Sequence, residues 1–403
     1  MALLQNTVQP YGWGSTTLLA NLMGVPPTGT PQAELWMGAH PAAPSRLRRG
    51  EAVLPLDQVI SESPERELGA ATVRRFGPRL PFLLKLLAAD APLSVQVHPD
   101  LAQAQAGYAR ENALGVPLDA PHRNYRDDQH KPEMIVALTP FRGLCGFRSP
   151  ADCADLLDSL KVPALRPYAR TLRTVPEEGA LAEVFRALLR PLPGLLDATT
   201  QALTATAGPG GAGVDATPDV DAYAAIARAH PGDPGLLSAL MLRYVELAPG
   251  QALFLWAGVP HAYLSGLGVE IMASSDNVLR CGLTSKHVDV DELIAVVRFS
   301  ALPTRVLTPR DGGGTGEGVY PAPVDDFRLS RYTVRAGEPP RPLALDAPQI
   351  VLCTEGTVVV SSAGEVFSIG AGQSVYLAAG VEAALRGAGT AFRATTGTAG
   401  VVG

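Results

Sequence analysis

Charge is sparse in this 403-residue chain: Asp, Glu, Lys and Arg together make up 18%. With 46% apolar residues, that excludes a disordered chain and leaves a folded protein large enough for two or three domains. Basic residues are not in excess, and the net charge is −6. A nucleic-acid binder normally carries a basic face, so none is expected here. Cysteine is scarce too. Cys145, Cys153, Cys281 and Cys353 stand apart with no C-x-x-C, which argues against a disulfide scaffold and against a cysteine zinc site. Reduced thiols in a cytoplasmic protein are the expectation. No apolar run of about 18 residues exists, so no membrane span is expected. The N-terminus, MALLQNTVQPYGWGS, lacks a basic leader and a long apolar core, and does not read as a signal peptide.

Glycine (41) and proline (36) are plentiful, which favours many turns and substantial β structure. PQAELWMGAHP (31–41) reads as a strand or short helix entering a tight turn. LPFLLKLLAADAPLSVQVH (80–98) reads as a buried strand, a turn and a second strand. Residues 100–112 form a short helix capped by Asp100, and a polar loop over 115–130 leads into the strand KPEMIVALTPF. The texture changes after Phe147. Ser149-Pro150 starts a helix, and helical spacing continues to about residue 245, broken by TAGPGGAGVDATPD (206–219). Short β-type runs return from 247, a helix capped by Asp289 follows, residues 308–318 read as a linker, and 320–403 read as strands.

One repeat organises the β parts. GQALFLWAGV (250–259) and GQSVYLAAGV (372–381) share a Gly-Gln turn, a strand and an Ala-Gly-Val turn. Two copies of such a hairpin suggest two jelly-roll barrels. The first copy continues Pro260-His261; the second continues Glu382-Ala383. A metal held by His261 would therefore have no counterpart in the second barrel.

PLSVQVHPD (92–100) alternates Leu93, Val95 and Val97 with Ser94, Gln96 and His98. Gln96 and His98 point to one side of the strand. With Glu133 and His261 they make a plausible oxygen–nitrogen ligand set for zinc. Their summed charge of about −1 would leave the metal a net positive Lewis acid. Taken alone, a Q-x-H pair is also an ordinary polar strand face. A group of cations, Lys85, His130, Lys131, Arg280 and Lys286, lies near these positions in the sequence, with Glu270 and Asp276 among them. That pattern suits either a charge-balanced surface or a phosphate or carboxylate ligand. His40, His122, His230 and His287 lack such company and read as structural or surface residues.

The ordered segments QPYGWGS, AELWMGAHP, PFLLKLL, PLSVQVHPD, HKPEMIVAL, AGVPHAYLSG and GVEIMASSDNVLRCGLTSK strongly resemble the type I phosphomannose isomerase family. The resemblance covers residues 6–148 and 245–300 well. It implies a mainly β fold of two cupin-like jelly-roll barrels plus a helical insert. The expected organisation is a catalytic cupin domain in two parts, 1–148 and 246–307. A helical domain, 149–245, is inserted between them, and a cupin-like domain without metal occupies 319–403. The implied activity is zinc-dependent interconversion of mannose 6-phosphate and fructose 6-phosphate through a cis-enediolate, with one zinc per chain. Carried over by position, the zinc ligands are Gln96, His98, Glu133 and His261, and Arg280 is the catalytic arginine. Lys131, Tyr263, Glu270, Asp276, Lys286, Ser94 and Lys85 match pocket residues, and His130, Lys131, Glu270, Asp276 and Lys286 offer candidate bases. The expected partner is a phosphosugar, and the expected state a monomer or weak homodimer. A non-catalytic sugar-phosphate-binding cupin is the alternative. An iron cupin oxygenase fits worse, because it wants more histidines and an apolar pocket.

Overall fold

The structure is a computed structural model that describes residues 1–206, 218–301, 303–313, 316–343 and 345–397. Two antiparallel sheets, each of eleven strands, carry the fold, and helices are concentrated between Pro150 and Ala239. The mainly β architecture with a helical insert is the one expected. Residues 207–217, most of the break noted in the sequence, lie outside the described residues.

The first sheet contains Glu34–Met37, Phe82–Ala89, Val95–Val97, Glu133–Ala137, Phe141–Phe147, Ala252–Leu255, His261–Ala273 and Leu279–Gly282, with three further short or edge strands. The strand His261–Ala273 closes it into a barrel. Its first half pairs with Phe141–Phe147 and meets Gln96; its second half pairs with Phe82–Ala89 and Glu133–Ala137. The change of partners falls at Gly266, where φ is 123° and an added Cβ would lie 2.8 Å from the Pro140 carbonyl. Only glycine tolerates that bend. All eight residues of Phe82–Ala89 are buried. Phe82, Leu84 and Leu86 face a core shared with Ile350, Leu352, Tyr376 and Phe392 of the second sheet. Lys85 therefore faces the other way, into the barrel.

The repeat found in the sequence is repeated in space. Gly250 and Gly372 have φ of 86° and 82°. The Gln251 side chain accepts from the Ala248 N–H at 2.8 Å, and Gln373 accepts from the Gly370 N–H at 2.9 Å. The hairpin strands are Ala252–Leu255 and Ser374–Leu377, and the following strands, His261–Ala273 and Ala383–Thr395, are both 13 residues long.

Two stretches depart from expectation. The strand Ala2–Gln5 pairs with Ser374–Leu377 and with Arg46–Arg49, so part of the expected 1–148 unit belongs to the second sheet. Ala2 and Leu4 are buried, and an alternating apolar strand needs a sheet edge to join. The expected linker at 308–318 instead starts the second sheet: Arg310–Asp311 pairs with Glu317–Tyr320 in a hairpin. Gly312, Gly313 and Gly316, read as linker, lie between its two strands.

The helical insert packs on the outer side of the first sheet. Leu157, Leu181, Val184, Phe185, Tyr223 and Ile226 share one core with Val95, Val97 and Phe147. The caps behave as the sequence implied. Ser149 accepts from the Asp152 N–H at 3.0 Å, and Asp289 accepts from the Glu292 N–H at 3.1 Å. Asp100 and Gln103 exchange hydrogen bonds in a capping box. The outward side of Val95–Val97 is thus filled by helices, and Ser94, Gln96 and His98 are left facing the barrel interior.

Candidate metal centre and its surroundings

Three strands bring the donors together. Glu133 starts one, His261 starts another, and His98 follows Val95–Val97. The Glu133 Oε2 atom lies 3.4 Å from His98 Nε2 and 3.4 Å from His261 Nε2. His98, Glu133 and His261 are all buried, and one ligand atom from each lies within 4.8 Å of the others. The Nδ1 atoms are occupied elsewhere: His98 at 2.8 Å from the Asn277 carbonyl, His261 at 3.0 Å from the Val259 carbonyl. A carbonyl can only accept, so each Nδ1 carries the proton and each Nε2 presents a lone pair. His98 Nε2 is buried with no hydrogen-bond partner. That orphaned acceptor, beside a carboxylate and a second imidazole, fits a divalent metal. Gln96 lies opposite His261 and donates its amide N–H to Ser94 Oγ at 3.2 Å, leaving its amide oxygen as the candidate fourth donor.

The electrostatics keep the cluster ready to ligate. Burial pushes the His98 imidazole down to about 4, with the Lys131 charge adding to the fall, so the ring stays neutral at pH 7. Burial alone would raise Glu133. Lys131 and the two imidazoles overcome it and hold the carboxyl well below its usual range. The Lys131 ammonium sits 3.1 Å from Glu133 Oε1, the oxygen turned away from the imidazoles.

Deeper in the barrel, Lys85 lies directly opposite Glu270 and contacts it at 3.0 Å. Glu34 approaches the same ammonium at 3.6 Å and accepts from the Trp36 indole at 2.6 Å. Burial opposes the Lys85 charge, yet Glu270 and Glu34 hold it above its ordinary range. Burial raises Glu270, with Lys85 resisting. The Tyr263 hydroxyl is buried, and burial with the Glu270 and Glu133 charges pushes it well up.

Cations line the other side. Arg280 lies opposite Gln96 on the neighbouring strand, so both side chains leave the same face as His261. Burial and the Arg126 charge lower Arg280, and burial with Arg280 and Arg126 lowers Lys286. Asp276 instead pairs with His40 at 3.3 Å, which lowers its carboxyl. His130 is turned toward the second sheet, 3.0 Å from Asp326, while its neighbour Lys131 faces the donors. Among the sequence-selected residues, the donors, Lys131, Ser94, Arg280 and the Lys85–Glu270–Tyr263 group thus converge; Asp276 and His130 are held by other partners.

Three residues escaped the sequence reading. Glu34 stands in the apolar strand Glu34–Met37, the same kind of signal that singled out Lys85. Asn277 and Arg126 lie in irregular segments, where no periodicity marks them. A cleft of about 440 Å³ lies elsewhere, between the helix Pro218–Ala229 and the outer barrel wall, lined by Asp90, Arg142 and Tyr244 among others.

Register extends the comparison to the second barrel. Leu255 lies opposite Glu133, and its counterpart Leu377 lies opposite Gln349. Ala383 accepts from the Leu343 N–H at 2.7 Å, continuing the pairing of Arg341–Pro342 with the same strand. Leu343, Gln349 and Ala383 therefore stand where the first barrel has Gln96, Glu133 and His261. The Gln349 amide donates to the Leu343 carbonyl at 2.7 Å. The Gln349 amide oxygen is buried without a partner, but beside two apolar side chains it is the single donor at these three positions, too few to hold a metal.

A model of the family described as phosphomannose isomerase type I, catalytic domain, matches residues 1–150. Mannose-6-phosphate isomerase of Escherichia coli (strain K12) is 39% identical over 383 residues, covering 94% of this chain and 95% of that protein. This chain belongs to the type I phosphomannose isomerase family. The family extends to distant relatives: the Homo sapiens mannose-6-phosphate isomerase is 32% identical over 411 residues, covering 93% of this chain and 94% of its own. A solved zinc-bound mannose 6-phosphate isomerase matches with a TM-score of 0.89 at 36% identity, covering 98% of this chain and 99% of that one. Another, bound with zinc and yttrium, matches with the same TM-score over 99% and 100%.

Proposed function

We propose that this chain is a zinc-dependent aldose–ketose isomerase that interconverts mannose 6-phosphate and fructose 6-phosphate through a cis-enediolate. The observation that carries this reading is the orphaned His98 Nε2, aimed with His261 Nε2 at one Glu133 oxygen, with Arg280 on the strand register beside them. His98, Glu133, His261 and Gln96 would hold the metal. When bound, zinc supplies Lewis-acid polarisation of the sugar oxygens.

The remaining work falls to the chain. Arg280, on the strand beside Gln96, stabilises negative charge as it develops on the enediolate oxygens. Lys286, exposed and free of acid partners, meets the phosphate with Ser94 as a nearby hydroxyl donor. Lys131 holds Glu133 ionised and oriented. Glu270, whose carboxyl burial raises against the opposing charge of Lys85, and Tyr263 line the deep wall with Lys85, where the sugar hydroxyls are gripped and water is excluded. Proton transfer between C1 and C2 needs a group that can both take and return a proton near neutral pH, and Glu270 has the raised carboxyl that suits it. Asp276 and His130, bound to His40 and Asp326, steady the walls. The catalytic unit takes up 246–307 and most of 1–148, with 149–245 inserted, while Ala2–Gln5, Arg46–Arg49 and the strands from Arg310 onward belong to the second sheet. A phosphosugar is the partner, with no nucleic acid. The protein acts as a cytoplasmic monomer or weak homodimer. Among the described residues, no helix is long and apolar enough to cross a membrane.

The test is a coupled assay in which zinc-loaded protein receives mannose 6-phosphate and fructose 6-phosphate is measured. Turnover that disappears with a chelator and returns with zinc supports the reading. Binding of the sugar phosphate without any product would replace it with the non-catalytic cupin.

A further inference from the structure

We propose that Arg126 is a third cation of the phosphate grip, fixed there by a latch in which Asn277 and Asp127 tie its loop to the imidazole of His98. The inference rests on the isomerase reading above and assigns part of its substrate recognition.

The latch is built around one buried side chain with every polar atom committed. Asn277 is completely buried. Its side-chain oxygen accepts from the Arg126 N–H at 2.7 Å and the Asp127 N–H at 3.3 Å. Its amide nitrogen donates to the Asp127 and Gln129 carbonyls, each at 2.8 Å. Its own carbonyl accepts from His98 Nδ1 at 2.8 Å. Asp127 completes the knot. Its carboxylate accepts from Ser275 Oγ and the Asp276 N–H at 2.8 Å and from the Gln129 N–H at 2.9 Å. An irregular loop held at this many points keeps a fixed path.

That path places Arg126 where an anion is needed. Asn277 lies three residues before Arg280, so the latch brings Arg126 to the end of the strand Leu279–Gly282 that carries Arg280. Asp127, the nearest acid in sequence, is consumed inside the knot and is not available to neutralise its neighbour. Among the described residues, the side chains of Arg126, Arg280 and Lys286 have no ion pair or hydrogen bond to an acid. Arg148, Arg173 and Lys85, by contrast, each contact a carboxylate within 3.0 Å. The positive charge of Arg126 is felt at both Arg280 and Lys286. The Asp276 carboxylate, already held by His40, also feels the Arg126 charge. Three cations that repel one another with no direct acid contact among the described residues form a site that a phosphate dianion relieves. Arg126 adds a planar fork to the single point charge of Lys286.

The test uses the full chain with zinc bound. Inorganic phosphate is titrated by calorimetry, and mannose 6-phosphate kinetics are measured beside it, for the wild type and Arg126→Gln. Arg126 is exposed, so folding is not at risk. Loss of one charge-assisted contact predicts a phosphate Kd and a KM raised about 10- to 100-fold, with kcat changed less than about threefold and zinc content unchanged. Arg126→Lys recovers part of the affinity. Arg142→Gln, an exposed cation outside the site, changes neither. Asn277→Ala weakens phosphate and zinc together, about 10-fold or more for zinc, because it also frees His98 Nδ1. An unchanged phosphate Kd in Arg126→Gln overturns the proposal. The calorimetric arm does not depend on turnover. Wild-type protein that binds phosphate through Arg126 yet makes no product would retain the grip and discard the isomerase.

Discussion

Replacing Lys85 with methionine tests how the deep wall of the site is held. The Lys85 side chain is 8% exposed, Glu270 4% and Glu34 8%. At separations of 3.0 and 3.6 Å and an effective dielectric near 20, each attraction is roughly 5 kcal/mol before desolvation is subtracted. Removing the cation leaves two buried carboxylates without compensation, which costs about 3–5 kcal/mol. The loss depends on pH in a definite direction. Burial already raises Glu270, and without Lys85 its folded-state pKa rises further. A carboxyl raised above its unfolded value destabilises the fold as pH rises through the folded pKa, and the penalty fades as pH falls. The Lys85→Met loss should therefore be greatest at pH 8 and smaller by about 1 kcal/mol or more at pH 5. Guanidinium unfolding of chelator-treated protein measures it. Trp36 lies on a strand of the first sheet, Trp13 packs against that sheet's core and Trp256 follows its strand Ala252–Leu255, so tryptophan fluorescence reports on this barrel. The double variant Lys85→Met/Glu270→Gln should recover at least half of the loss, since it removes one orphaned charge. A loss below about 1 kcal/mol, equal losses at both pH values, or a double variant worse than the single would refute the reasoning.

Gln251→Ala and Gln373→Ala each remove one side-chain bond from equivalent turns and should each cost about 1 kcal/mol by equilibrium unfolding; losses differing by more than about twofold would show that the turns are not held alike. All four cysteines are buried, and burial pushes Cys145 and Cys153 up to about 12. In native protein at pH 8 a thiol reagent should find fewer than one reactive group per chain, and all four after denaturation.

The clustering of His98, Glu133 and His261 was legible because chemistry constrains candidate donors twice. Gln96 and His98 had to share a strand face, and His261 had to sit where the repeat turns into its next strand. Ala383, at the same point of the second copy, then marked the barrel that could not ligate. Register extended that contrast to Gln349 and Leu343, which the sequence did not single out. The latch around Asn277 was not legible, because its bonds join loops that are about 150 positions apart and leave no period in either. Asp276 and His130 looked like free pocket groups. Their partners, His40 and Asp326, come from other segments, and nothing local announces such pairs. The 308–318 stretch misled for a related reason: glycines that suggest slack in a sequence also make tight hairpins.

The pairing of Ala2–Gln5 with Ser374–Leu377 has a consequence for how the molecule is made. The Met1 amine contacts Glu365, 364 positions away, and the first strand borders a sheet whose other members are almost all synthesised last. Arg46–Arg49 can pair with one edge early, but at about 5–20 residues per second the nascent chain carries the other edge unpaired for roughly 20–70 s before Ser374–Leu377 emerges from the ribosome. The helices between Pro150 and Ala239 can form from local contacts during that interval, but the second sheet cannot close. Until then the strand's exposed edge is open to chaperones and to other nascent chains alike.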